Sequence, residues 1–237
     1  MNKLEELYFN GFLLEKFKNG KCLEQYNGIL NQVFNEDIKE GYALKSKYPF
    51  SRDLRPQAHD YDNSIIDILF ESNIPGLIKK SLGHDLYLAH VQIRVSELFP
   101  PGQEERSYME WHRDTHFYGG ELHGNAPPVY KLIYYPELND VEEKPLAVAP
   151  GTHLRILLDE HADRKQLQQN KILAKSTSLN EFLFFNTSMF HSTLPAHKNG
   201  TLRIIYNFCL EEQLAKYKEQ VELHKIYKER LKERRND

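Results

Sequence analysis

Between residues 86 and 209 the sequence consists of short β-rich segments separated by turn residues. In the first segment, Val91 and Ile93 alternate with Gln92 and Arg94, as in a strand with one apolar face. Counting that segment, such stretches lie at residues 86–99, 106–114, 129–135, 146–149, 172–176, 181–186, 189–194 and 201–209. Short strands at this spacing favour a sandwich, barrel or jelly roll over alternating βαβ units.

Segments with helical patterns flank this β-rich region. They lie at residues 3–18, 21–35, 63–72, 75–82 and 210–235, whereas 41–62 is predicted to be loop with a short strand. We therefore expect one domain over residues 1–237 that is mainly β with flanking helices. In it, 1–85 forms an N-terminal helical support, 86–209 the β core and 210–237 a C-terminal helix.

The C-terminal helix carries a narrow apolar stripe near heptad spacing, formed by Leu210, Leu214, Tyr217, Val221, His224 and Leu231. Packing of this stripe against the β core is the favoured interpretation, and a homodimer contact is the alternative. Six of the eleven residues 225–235 are Lys or Arg, but Glu229 and Glu233 lie between them, which indicates a solvated face.

The composition is that of an ordinary globular protein, with 40% hydrophobic and 27% charged residues. The formal net charge of -3 argues against a general nucleic-acid-binding protein. No run of about 18 apolar residues is present, so no membrane span is predicted, and the first residues lack a signal-peptide pattern. Cys22 and Cys209 are far apart without metal-type spacing, which favours free thiols in the cytoplasm.

Two His-x-Asp pairs occur, His112-x-Asp114 and His161-x-Asp163. With 11 His and 34 acidic residues, random order gives roughly two such pairs, so context must separate them. The first pair lies in a strand candidate, where residues i and i+2 project from the same face. The second lies in a polar helix or loop, where they diverge. We therefore favour His112 and Asp114 as a metal-binding pair.

Two further residues near the end of the β core extend this hypothesis. His191 lies in a second β-rich stretch and is the favoured third metal ligand. Arg203 lies in the last strand, beside Ile204 and Ile205. A guanidinium within an apolar strand is costly to bury unless it meets an anion such as a carboxylate. The alternative is an arginine on an edge strand, exposed to water.

Together these residues resemble the Fe(II)/2-oxoglutarate-dependent dioxygenases, most closely the phytanoyl-CoA dioxygenase-like branch. Residues 111–114 (Trp-His-Arg-Asp) resemble the W-H-x-D signature of that branch, and 150–153 (Pro-Gly-Thr-His) resemble its P-G-S-H turn. Thr193 stands where the family has a Ser or Thr that helps to hold 2-oxoglutarate. The resemblance covers about residues 86–209, and residues 142–146 lack the glycine of the E-x-G-x-L element that the family often carries.

The resemblance implies a double-stranded β-helix, a jelly-roll, cupin-like barrel that is open at one end. It also implies that His112, Asp114 and His191 hold Fe(II), and that Arg203 and Thr193 bind the cosubstrate 2-oxoglutarate. Gln92 and Lys131, on neighbouring strands, are further candidates for cosubstrate contacts. The alternative for these two is that they are ordinary polar residues of the barrel interior.

By the same resemblance, the enzyme couples decarboxylation of 2-oxoglutarate to hydroxylation or desaturation of a small-molecule substrate, with O2 as the oxidant. Halogenases of this wider family have a small residue in place of the carboxylate ligand, so the Asp at 114 favours hydroxylation or desaturation. The loop 115–128 is a candidate lid. Arg113, His116 and Tyr118 are candidate substrate contacts.

Two other functions remain open from the sequence. One is a cupin-like metalloenzyme that does not use 2-oxoglutarate, which predicts no role for Arg203. The other is a non-catalytic barrel scaffold, against which the intact triad counts, since a retired site would tolerate the loss of a ligand.

Overall fold

The computed structural model describes residues 2–18, 44–45, 51–53, 64–72, 74–83, 85–96, 111–120, 130–135, 146–169, 173–175, 181–193 and 201–233. The helices are α1 (Lys3–Asn10), α2 (Ser64–Glu71), α3 (Ile74–Leu82), α4 (Glu160–Arg164), α5 (Gln166–Gln169) and α6 (Val221–Glu233). The strands are β1 (Phe12–Lys16), β2 (Leu44–Lys45), β3 (Ser51–Asp53), β4 (Tyr87–Ser96), β5 (Tyr130–Tyr134), β6 (Leu146–Val148), β7 (Leu173–Lys175), β8 (Glu181–Asn186), β9 (His191–Thr193) and β10 (Thr201–Cys209). Short 3-10 helices lie at Tyr118–Gly120, Thr152–Leu154, Glu211–Lys216 and Lys218–Gln220.

The strands form two antiparallel sheets. The larger sheet has seven strands in the order β1-β8-β5-β10-β4-β3-β2, and the smaller has three in the order β7-β6-β9. The strand pairings within both sheets are antiparallel. The prediction of a mainly β protein with flanking helices is therefore confirmed, and helices alternating with parallel strands are excluded for the described residues.

Each face of the larger sheet is covered by its own apolar core. On one face, helices α2, α3 and α6 pack against the strands, and Ile65, Tyr206 and Tyr227 are buried between them. The Tyr206 hydroxyl donates a hydrogen bond of 2.8 Å to the Ile65 carbonyl, which ties β10 to α2. The second core includes Ile205 of the larger sheet and Val148 of the smaller one. This second face is the one that carries the candidate site.

The N-terminal segment differs from its prediction. A helical segment interrupted at Gly11 was expected over residues 3–18, but α1 ends at Asn10 and residues 12–16 form β1, which pairs with β8. Gly11 makes the break, since it adopts a left-handed conformation with φ of 83° that favours glycine. A run of apolar residues such as 12–14 is compatible with a helix or a strand. It forms a strand here because the edge of β8 is available for pairing.

Elsewhere in the N-terminal region, α2 and α3 confirm the predicted helices at residues 63–72 and 75–82. Within 41–62 the structure places two short strands, β2 and β3, where one was expected. The helix predicted at 21–35 lies outside the described residues.

The C-terminal region is not the continuous helix that the sequence predicts. Two 3-10 helices precede α6, which begins only at Val221. Leu223, Tyr227 and Leu231 of α6 are buried in the core on the helical face of the larger sheet, so the helix packs against the β core. The homodimer alternative stays a prediction. Among the described residues, none of the helices is long and apolar enough to cross a membrane.

Candidate metal centre

The His112 segment is joined to β9 by a β-bridge. Residues 106–114 were expected to form a strand, but 111–114 are irregular apart from the bridge between His112 and His191, and 106–110 lie outside the described residues. The two histidines exchange backbone hydrogen bonds of 3.1 and 3.0 Å, and the Asp114 amide donates to the Thr187 carbonyl at 2.9 Å. Backbone pairing across 79 residues of sequence, rather than the alternation of one strand, therefore brings these side chains together.

His112, Asp114 and His191 converge in space. One possible ligand atom from each side chain lies within 4.8 Å of those of the other two. The Nε2 atom of His112 is 3.7 Å from Asp114 Oδ1, and that of His191 is 3.4 Å from Asp114 Oδ2. His161 and Asp163 belong to no such cluster among the described residues.

His191 has the protonation state that a metal ligand needs. Burial lowers its pKa to about 3, although the charge of Asp114 opposes this shift. Its Nδ1 lies 2.9 Å from the Met189 carbonyl, which accepts a hydrogen bond only from a protonated nitrogen. The neutral ring therefore carries its free lone pair on Nε2, the atom that faces Asp114.

Asp114 is held as a carboxylate by the positive and polar groups around it. Burial alone raises its pKa, but Lys131, His191 and His112 together lower the pKa well below its usual range. The Lys131 Nζ lies 2.8 Å from Asp114 Oδ2. Lys131, predicted as a cosubstrate contact, thus lies directly beside a candidate metal ligand.

The strands β4, β10 and β5 present a row of polar side chains to this side of the sheet. Directly opposite residues of antiparallel strands project from the same face. Asn207 of β10 is opposite Lys131, Ile205 is opposite Gln92, and Arg203 lies two residues further along the same strand. The larger sheet therefore carries Lys131, Gln92 and Arg203 on one face.

Arg203 reaches from the larger sheet to the smaller one. Its Nη1 donates a hydrogen bond of 3.0 Å to Thr193 Oγ1 on β9. Only 2% of Arg203 is exposed, and β10 lies between β5 and β4. The alternative of an exposed arginine on an edge strand is therefore wrong. Arg203 and Thr193, which were predicted to bind the end of the cosubstrate that lies away from the metal, are therefore in contact.

The three candidate substrate contacts lie around the carboxylate of Asp163. Arg113 is buried and forms an ion pair of 2.7 Å with Asp163, and its contact with substrate stays a prediction. The Tyr118 hydroxyl donates to Asp163 Oδ2 at 2.8 Å, and burial together with Asp163 raises the pKa of Tyr118 to about 12. The His116 ring stacks on Tyr118, with centroids 4.2 Å apart.

Sequence reasoning missed the role of Asp163. It set His161-x-Asp163 aside as a metal pair, and the helix α4 over Glu160–Arg164 agrees with the reason given. A signal was nevertheless present in Arg113, which stands between two candidate ligands and must project away from them. A buried arginine needs an acidic partner, but nothing in the sequence says which of the 34 acidic residues that is.

Comparison with protein-family models and with curated proteins finds no match. Comparison with solved structures finds many. HygX from Streptomyces hygroscopicus, solved with nickel and 2-oxoglutarate bound, is 13% identical, with a TM-score of 0.60 over 89% of this chain and 88% of its own. EctD from S. alaskensis with bound Fe is 12% identical, with a TM-score of 0.66 over 87% and 75%.

The epimerase SnoN, in complex with Fe3+, alpha ketoglutarate and nogalamycin RO, is 10% identical, with a TM-score of 0.66 over 86% of this chain and 81% of its own. At such identities the similarity establishes a shared fold and nothing more specific. The shared fold agrees with a mainly antiparallel β protein with flanking helices.

Proposed function

We propose that this protein is a non-haem Fe(II) oxygenase that couples 2-oxoglutarate decarboxylation to hydroxylation or desaturation of a small-molecule substrate. The observation that carries this proposal is the convergence of His112, Asp114 and His191 on the sheet face that also holds Arg203. A metal triad and a buried guanidinium on one face match the two ends of a 2-oxoglutarate molecule, which binds metal at one end and carries a carboxylate at the other.

The donor set fits Fe(II). Two imidazoles and one carboxylate form the facial triad of non-haem iron oxygenases, which leaves coordination positions for cosubstrate and O2. The neutral His191 and the ionised Asp114 need lose no proton to bind a cation. The structures of similar fold that hold Fe, or nickel with 2-oxoglutarate, support this assignment.

We propose further that the two sheets form a double-stranded β-helix around this site. Their antiparallel pairing and the apolar core between them are what such a barrel requires. The N-terminal strand β1 pairs with β8 and the C-terminal helix α6 packs against β4, which supports a single domain over residues 1–237.

Arg203 and Thr193 bind the distal carboxylate of 2-oxoglutarate in this proposal. A guanidinium offers paired donors that match a carboxylate, and the Thr193 hydroxyl, already 3.0 Å from Nη1, orients it. Gln92 and Lys131 line the same face, where they contact the bound cosubstrate.

When bound, Fe(II) supplies the activation of O2 that couples conversion of 2-oxoglutarate to succinate and CO2 to oxidation of a substrate C–H bond. The protein orients the reactants and shields them from water. Met189 fixes the tautomer of His191 through its carbonyl, and Phe185 packs against the His191 ring with centroids 4.9 Å apart. Phe185 thus places an apolar side chain beside the proposed ligand His191.

The direct test is formation of succinate from 2-oxoglutarate in air, with and without added Fe(II). The wild type should form succinate slowly without substrate and only when Fe(II) is present. His112→Ala should abolish this turnover, whereas His161→Ala, which alters the other His-x-Asp pair, should leave it unchanged. Metal binding that ignores 2-oxoglutarate would favour a cupin-like metalloenzyme, and no specific metal binding would favour a non-catalytic scaffold.

A further inference from the structure

The side chain of Arg113 lies between the two proposed ligands in sequence but projects away from them. Its guanidinium is fully buried and meets the carboxylate of Asp163 in a two-point contact. Nε donates to Oδ2 at 2.7 Å, and Nη2 donates to Oδ1 at 3.1 Å. This fork-to-carboxylate geometry is the most directional ion pair available to protein side chains.

The remaining donors of Arg113 bind the backbone of two other segments. Nη1 donates to the Thr152 carbonyl at 2.7 Å and also to the Ser188 carbonyl. The guanidinium lies over the Phe190 ring, 3.9 Å from its centroid. Ser188 and Phe190 belong to the short segment that leads into His191. One side chain therefore connects the His112–Asp114 segment, the turn at Thr152 and the segment that carries the third ligand.

Asp163 is itself fixed from several sides. It accepts hydrogen bonds from the Tyr118 hydroxyl at 2.8 Å, the Leu157 amide at 3.0 Å and the Gln166 amide group at 2.6 Å. Burial raises its pKa, but Arg113, the Leu157 amide and the Tyr118 hydroxyl outweigh burial and lower the pKa, so the group remains a carboxylate at neutral pH. These donors hold the Asp163 carboxylate in one position. Because Arg113 is hydrogen-bonded to this carboxylate, its guanidinium is held in one position as well.

We propose that the buried Arg113–Asp163 ion pair is the positioning element of the metal site, which fixes the three ligands relative to one another before metal binds. This inference rests on the proposed function. Arg113 is bonded covalently to His112 and Asp114 and through hydrogen bonds to the segment of His191, so a shift of its guanidinium displaces the ligands. Neither Arg113 nor Asp163 touches the metal position, so both are positioning residues.

The main test replaces both charges at once. A single charge left in a core destabilises a protein strongly, whereas an ion pair replaced by apolar residues of similar volume often leaves the fold intact. We expect the double variant Arg113→Met, Asp163→Leu to unfold cooperatively and to bind Fe(II) anaerobically at least about tenfold more weakly, the range known for residues that orient metal ligands. Competition with a coloured chelator measures this affinity without any turnover.

The ion pair between Arg230 of α6 and Asp67 of α2, with a distance of 2.9 Å, is partly exposed and provides a control away from the proposed metal site. It links two helices on the opposite face of the larger sheet. The double variant Arg230→Met, Asp67→Leu should bind Fe(II) as the wild type does, even if its melting temperature falls. A metal affinity that follows melting temperature in both double variants would overturn the proposal.

Arg113→Lys keeps the positive charge for Asp163 but cannot reach the carboxylate and both carbonyls together. It should also weaken Fe(II) binding about tenfold, and it decides the matter if the apolar double variant does not fold. Wild-type affinity in Arg113→Lys and in the apolar double variant would sink the positioning role and leave the oxygenase proposal standing. Failure of the wild type itself to bind Fe(II) would instead overturn the oxygenase proposal and the inference with it.

Discussion

The Nζ atom of Lys131 lies 2.8 Å from Oδ2 of Asp114, the proposed carboxylate ligand. Lys131 projects from β5 in the larger sheet, whereas Asp114 lies in the irregular segment that is tied to β9. The contact orients the carboxylate, but it also places a positive charge beside the position of a divalent cation. In the proposed site, we therefore expect Lys131 to weaken metal binding and to favour an anionic cosubstrate.

Replacing this charge should separate the two effects. In Lys131→Met we expect affinity for Fe(II) alone to rise and affinity for 2-oxoglutarate in the Fe(II) complex to fall, each by about tenfold or more, since unit charges about 4 Å apart interact by roughly 1 kcal/mol in water and about 4 kcal/mol near a protein surface. Anaerobic titrations of metal, and then of cosubstrate, measure the two constants. A parallel loss of both affinities would mean that Lys131 acts only by orienting Asp114.

Removal of the buried Arg203 guanidinium should weaken the binding of 2-oxoglutarate but not the binding of Fe(II). In Arg203→Met we expect 2-oxoglutarate to bind at least about thirtyfold more weakly, because truncating one partner of a buried charged pair costs roughly 2–5 kcal/mol. Fe(II) affinity should stay within a few-fold of the wild type. Thr193→Val, which removes the hydroxyl 3.0 Å from Nη1, should show a smaller loss of the same kind. Equal 2-oxoglutarate binding in all three proteins would contradict this role.

The Arg113–Asp163 ion pair makes the free energy of unfolding depend on pH in the acid range. The pKa of Asp163 is lower in the folded protein than in the unfolded chain. Its contribution to the free energy of unfolding is therefore full above the unfolded pKa of about 3.9 and is lost as pH falls through the folded value. Urea unfolding should be measured between about pH 6 and about pH 3. The free energy of unfolding should fall less on acidification in the Arg113→Met, Asp163→Leu variant than in the wild type. Identical pH profiles would contradict this account.

Gly11 is the sharpest test of the N-terminal packing. It has φ of 83°, and a Cβ added there lies 2.5 Å from His153 Nδ1. Gly11→Ala should reduce the free energy of unfolding by about 1–3 kcal/mol, the usual cost of a strained backbone position. Gly76 is the control, because its added Cβ meets nothing within 4 Å and it lies within α3. Gly76→Ala should stabilise the protein by roughly 0.5–1 kcal/mol.

The sequence predicts the β-rich core and the candidate ligands for different physical reasons. Alternation of apolar and polar residues is local, so strands such as β4 and β8 were found within a few residues of their bounds. His112 and Asp114 were singled out because a strand places i and i+2 on one face. The residues do converge with His191, but through a β-bridge that the sequence does not reveal.

What the sequence could not supply depends on long-range partners. Residues 12–16 form a strand because β8 offers them an edge, and a short apolar run does not specify that outcome. The burial of Arg113 against Asp163 and the contact of Lys131 with Asp114 join residues 50 and 17 positions apart, respectively. Such pairings follow from the topology of the sheets, which buries the Arg113 side chain against Asp163 and brings together the predicted cosubstrate pair Arg203–Thr193.

The most direct measurement is an anaerobic titration of the Fe(II)-loaded protein with 2-oxoglutarate, followed by visible absorption. Chelation of iron by the cosubstrate gives a metal-to-ligand charge-transfer band that neither component gives alone. We predict that the band forms in the wild type, saturates with 2-oxoglutarate, is lost in His191→Ala and requires far more cosubstrate in Arg203→Met. A protein that binds Fe(II) through His112, Asp114 and His191 yet gives no band at any 2-oxoglutarate concentration would contradict the account.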